Sequence, residues 1–96
     1  MFVVILRFSE NRERMGELMD AHKAWAKQGL DDGVFLMIGS LQPGLGGAIL
    51  AHNISRQDLE SFVDRDPFVA ERIVTVEILE ITPSKTDERL AFLSAV

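Results

Sequence analysis

Two short runs in this chain lack a polar face. In residues 2–8, Phe-Val-Val-Ile-Leu-Arg-Phe, an extended backbone puts Phe2, Val4, Leu6 and Phe8 on one side and Val3 and Ile5 on the other. Arg7 is the one polar interruption, at the end of the second side. Residues 34–38, Val-Phe-Leu-Met-Ile, are apolar throughout and are closed by Gly39-Ser40. β-Branched and aromatic residues without Gly or Pro favour strands, and a strand apolar on both sides asks to be covered on both. A chain of 96 residues has little material for two covering layers.

The stretches between them supply the remaining elements. Ser9 is expected to cap a helix, with Glu10 and Glu13 in its first turn. Met15, Leu18, Met19, His22, Ala26 and Leu30 then recur at steps of three and four, one face of an amphipathic helix. Glu13, Glu17, Asp20, Lys23 and Lys27 form its wet side, and Gly33 is placed to end it. Gln42-Pro43-Gly44-Leu45-Gly46-Gly47 is a turn joining the 34–38 strand to a returning strand over 48–54. Ser55 with Asp58 three residues on forms a capping box for a second helix carrying Leu59, Phe62 and Val63. Asp66-Pro67 restarts helical geometry, Asp at the cap and Pro at the first position. The last strand runs from Ile73 to Ile81, and Leu79 interrupts its alternation, which predicts a bulge. A single domain over 1–96 is expected, with its core in about 1–83 and a short terminal helix over 86–94.

The resulting order, β-α-β-β-α-β, is the split βαβ or ferredoxin-like arrangement of the α+β class, an antiparallel sheet with both helices on one face. The helices leave the other sheet face bare although the strands are apolar there too. A second copy packed sheet to sheet about a two-fold axis is the simplest cover, so a homodimer is expected.

The net charge of −5, with ten scattered Lys and Arg, disfavours nucleic acid as a partner. No apolar run reaches the ~20 residues needed to cross a bilayer, and the N-terminus reads as a strand and not as a signal peptide. A cytoplasmic location is expected. The absence of cysteine removes disulfides and thiolate metal ligands, and two histidines without a suitable carboxylate spacing give no metal motif. No cofactor is implied.

His22 occupies a slot on the apolar stripe where Leu or Ala would ordinarily stand. An imidazole there is either a satisfied core group or a general base, since histidine is the side chain that ordinarily titrates closest to neutrality. Asp66 is fully accounted for as a helix cap, yet a carboxylate has acceptor capacity to spare and can also receive a histidine N–H. Ser40, at a strand end beside glycine, is a candidate for hydrogen bonding to a ligand, without the surroundings of a nucleophile. Arg7 is a candidate for an anionic group and equally for an exposed arginine at the sheet edge. Trp25, three residues from His22, and Phe68, beside Asp66-Pro67, are candidates for a substrate pocket wall. The glycine turn resembles a phosphate loop only superficially, because no helix start follows it.

His22 followed by Trp25, then Gly33-Val34-Phe35-Leu36, Gly39, the glycine turn and Asp66-Pro67-Phe68 together resemble the YciI-like (YCII-related) proteins, small bacterial members of the dimeric α+β barrel superfamily. The resemblance covers about residues 1–83. It implies the ferredoxin-like fold, a homodimer, a pocket between sheet and helices, and a His-Asp dyad that by position is His22 and Asp66. Family members often carry Gly-Pro where this chain has Gly39-Ser40, which leaves the shape of that wall open. The expected function is a cofactor-independent acid/base enzyme, of lyase or isomerase type, acting on a small cyclic or aromatic metabolite. The alternatives are a non-catalytic small-molecule-binding or accessory dimer with the same pocket, a haem-degrading or cofactor-free monooxygenase of the superfamily, and a purely structural dimer.

Overall fold

The structure, a computed structural model, describes residues 1–94; the last two residues of the expected 1–96 domain lie outside them. The elements are β1 (Phe2–Phe8), α1 (Met15–Asp31), β2 (Phe35–Leu41), β3 (Gly46–Ala51), α2 (Arg56–Asp64), the single turn α3 (Pro67–Ala70) and β4 (Val74–Glu80). The strands form one antiparallel sheet in the order β2-β3-β1-β4. This is the ferredoxin-like α+β arrangement, with β1 and β2 separated by β3 as a split βαβ unit requires.

The inner sheet face meets the helices. Phe2, Val4 and Leu6 of β1, Ile49 and Ala51 of β3, Phe35 of β2 and Val74 of β4 are buried against Trp25, Leu59, Phe62, Val63 and Phe68. Local chemistry sets the helix ends. The Ser55 hydroxyl accepts from the Asp58 N–H at 3.1 Å, and Gly33 follows α1 at φ +74°, where only glycine is unstrained.

Several expectations need correction. Ser9 does not cap α1, which begins at Met15 after Arg14. Its hydroxyl instead donates to the Arg72 carbonyl at 2.6 Å and accepts from the Asn11 N–H at 3.0 Å. Asn11 Nδ2 donates to the Glu71 carbonyl, and Arg14 pairs with both Glu17 and Glu71. Segment 9–14 is therefore a strap tying the start of α1 to the turn after α3. The buried line of α1 runs through Trp25 and Gly29, while Leu30 is exposed. Gly29 is there for space: a Cβ would lie 2.2 Å from the Phe35 ring.

β2 is not buried on both sides. It is an edge strand; Phe35 is 3% exposed but Met37 is 50% exposed, because the helices cover one face only. The bulge predicted at Leu79 is absent, since β4 pairs with β1 in unbroken register. The irregularity lies in β2, between Phe35 and Met37. Leu79 alternates normally and joins the outer face opposite Val3. The returning strand ends at Ala51, and the last strand at Glu80. The terminal helix is a 3-10 segment over Glu88–Leu93, broken in geometry at Leu90, with the Phe92 ring edge-on to His52 at 5.6 Å.

Candidate active site

A cavity of about 380 Å³ opens between α1 and the inner sheet face. Its helix wall is Met19, His22, Lys23 and Ala26, the i, i+3, i+4, i+7 line of α1, with Trp25 beside it. Its sheet wall is Leu6 and Phe8 of β1, Ile38 to Ser40 of β2, Gly46 to Ile49 of β3 and Val74 of β4; Phe68 closes one side. The glycines lower this wall. Gly46 is required by the backbone, for it sits at φ +139° and a Cβ would fall 1.9 Å from the Leu6 carbonyl oxygen. Gly47 lies between Leu6 and Ser40 in the sheet register, so the floor there is bare backbone.

At the helix wall, His22 Nδ1 lies 2.8 Å from Asp66 Oδ1. The two residues come from α1 and from the start of α3, 44 positions apart. The same oxygen accepts the Phe68 N–H at 3.1 Å, so Asp66 caps α3 and holds the imidazole at once. Asp66 is 0% exposed and Oδ2 has no hydrogen-bond partner among the described residues. The His22 side chain is 20% exposed, and its ring stacks on Phe68 at 4.1 Å and 3°. A carboxylate only accepts, so the hydrogen shared with Asp66 belongs to Nδ1. In the neutral imidazole that tautomer puts the lone pair on Nε2, on the ring edge away from Asp66, and the His22 side chain lines the cavity.

The other candidates divide. Ser40 and Phe68 line the cavity. Trp25 lines it with its ring alone: it is buried, its N–H donates to the Phe62 carbonyl at 2.9 Å, and the indole packs on Phe35 and Phe62. Arg7 is misplaced as a pocket residue. Leu6 and Phe8 face the cavity, so the residue between them faces the opposite side of the sheet, where Arg7 is exposed. Lys23 is exposed, as its expected place on the wet side of α1 requires, and it also borders the cavity. Its spacing of four from Met19 and three from Ala26 is the signal that marks it. Among the described residues no cluster of three His, Asp or Glu side chains could hold a metal ion, and no helix is long and apolar enough to cross a membrane.

Comparison with known proteins adds two findings. The YCII-related domain family model matches residues 1–85. Among solved structures, the chain is similar to 5-chloro-2-hydroxyhydroquinone dehydrochlorinase from Burkholderia phenoliruptrix, solved in complex with 2,5-dihydroxybenzoquinone. That match has a TM-score of 0.65 and 17% identity over 93% of this chain and 98% of the other. At that identity the likeness shows the fold. No curated protein sequence matches significantly.

Proposed function

The chain belongs to the YCII-related domain family, and from that premise we propose that it is a cofactor-independent acid/base enzyme acting on a small cyclic or aromatic metabolite. The observation that carries this reading is the 2.8 Å contact between His22 Nδ1 and Asp66 Oδ1 at the wall of a mostly apolar cavity. His22 Nε2 removes a proton from the bound ring or from a hydroxyl on it. A pair released from a ring carbon forms a C=C to its neighbour, and a pair released from a hydroxyl forms C=O while an adjacent C=C shifts one place along. At the far end either a leaving group departs with its bonding electrons, or the His22 imidazolium returns the proton to the carbon that receives the pair. The first outcome is elimination and the second isomerisation. Asp66 is the positioning residue, which fixes the tautomer and stabilises the imidazolium that forms. The Phe68 ring, parallel to the imidazole, keeps it from rotating. Ser40 offers a hydroxyl on the facing wall, and Trp25 contributes shape. The dehydrochlorinase with the same fold, an enzyme of hydroxylated aromatic rings by its name, supports the elimination class.

The outer sheet face supports a homodimer, since Val3 and Ile5 are only half-buried and Met37 and Leu79 are exposed there. A cytoplasmic location is part of the same reading.

Halogenated and hydroxylated single-ring compounds, screened for halide release and for new absorbance, test the assignment. Turnover by the wild type is expected to fall about 10²–10⁴-fold in His22→Ala. In Asp66→Asn, which keeps an oxygen for the Phe68 N–H, kcat falls more than KM rises. Folded variants with full activity would end the reading. A second reading, ligand binding without turnover, has one observation in its favour: capping α3 already accounts for Asp66. It requires saturable binding with no product from any compound bound.

A further inference from the structure

We infer that the cavity selects ligands carrying an anionic group, and that Lys23 is the residue that holds it. The inference rests on the proposed ligand site and deepens it by naming a substrate class. Among the described residues, apart from His22, Ser40 and the already bonded indole of Trp25, Lys23 is the only polar side chain on a lining otherwise made of apolar groups and glycine. An apolar body satisfies such a lining, and about 380 Å³ suits one ring with substituents, given that ~150 Å³ suffices for benzene. Lys23, one residue after His22 on α1, is exposed and borders the cavity, so only a group at the solvent-facing edge of that body meets it.

The charge pattern sharpens the choice. The chain carries a net −5, so its surface as a whole repels anions, and a local cation must supply any preference for them. Lys23 is available for that role. Lys27, one turn on, is engaged by Asp31 at 2.6 Å, whereas Lys23 makes no ion pair among the described residues. Arg12 adds positive charge on the same side, its guanidinium 4.5 Å from the centroid of the cavity-lining Phe8 ring. Arg7, the other candidate for an anion, is on the far side of the sheet.

Benzoate and its neutral amide, benzamide, separate charge from shape. Titrated into the full chain at low ionic strength and followed by amide chemical shifts, benzoate should move Gly46, Gly47 and His22. It should bind about fivefold more tightly than benzamide, a preference that shrinks with added salt. In Lys23→Gln the two ligands should bind alike. In Lys27→Gln, which changes net charge equally but lies off the cavity, the preference should persist. Equal binding by the wild type, an anion preference surviving in Lys23→Gln, or benzoate shifts confined to residues away from the cavity would each overturn the inference. Turnover plays no part in the readout. An anion preference in a protein without catalysis leaves Lys23 standing and removes the dyad mechanism; catalysis without the preference does the reverse.

Discussion

The two faces of this sheet are built from similar side chains and meet different fates. On the inner face, Phe2, Val4, Leu6, Ile49 and Phe35 are sealed by α1, α2 and α3. On the outer face, Val3, Ile5, Leu50 and Ala48 are only half-buried and Met37 and Leu79 are open. Hydrophobicity in a strand therefore states a demand for cover without saying who supplies it. The inner face is also where the cover is incomplete. Where glycines line the sheet wall, at Gly39, Gly46 and Gly47, the helix does not reach the strands, and the cavity lies in the gap.

The contrast can be attacked from both sides. The largest expected effect belongs to the dyad on the inner face: the activity loss in His22→Ala corresponds to about 3–5 kcal/mol of transition-state stabilisation. Next, Leu59→Ala should cost about 2–5 kcal/mol in urea unfolding, because the side chain is fully buried. That cost should not vary with protein concentration. Gly29→Ala should cost about 1–3 kcal/mol through the Phe35 ring, and Gly29→Ala combined with Phe35→Leu should recover part of it, a coupling read from a double-mutant cycle. The smallest change to the isolated chain belongs to the outer face. Leu79→Ser should cost within about 0.5 kcal/mol of monomer stability yet shift the assembly toward monomer in light scattering. A wild type that is monomeric at high concentration would remove the dimer and leave the outer apolar face unexplained.

Much of the fold was legible because its causes are local. A run of β-branched and aromatic residues located β1, a polar residue and a following acid located α2, and Asp66-Pro67 located α3. The errors came where distant contacts override local signals. Ser9 carries a good capping side chain but finds the Arg72 carbonyl first. Leu79 looked like a phase error only on the assumption that the outer face of β4 should be polar. The site was half legible. His22 was marked by standing on an apolar stripe, but Lys23 was hidden, because a charged residue at the edge of a stripe looks the same whether it borders water or a cavity.

The sequence by itself determined the element order, the caps of α2 and α3 and the glycine that follows α1, and the surplus of apolar strand surface, all properties of neighbouring residues along the chain. Tertiary structure alone decided that His22 and Asp66 meet, that Arg7 lies on the sheet face away from the cavity while the exposed Lys23 borders it, and which sheet face holds a cavity. Those outcomes depend on the rotation of α1 about its own axis and on the placing of β3 between β1 and β2. Both are fixed by packing contacts between residues far apart in the chain, which no local pattern records.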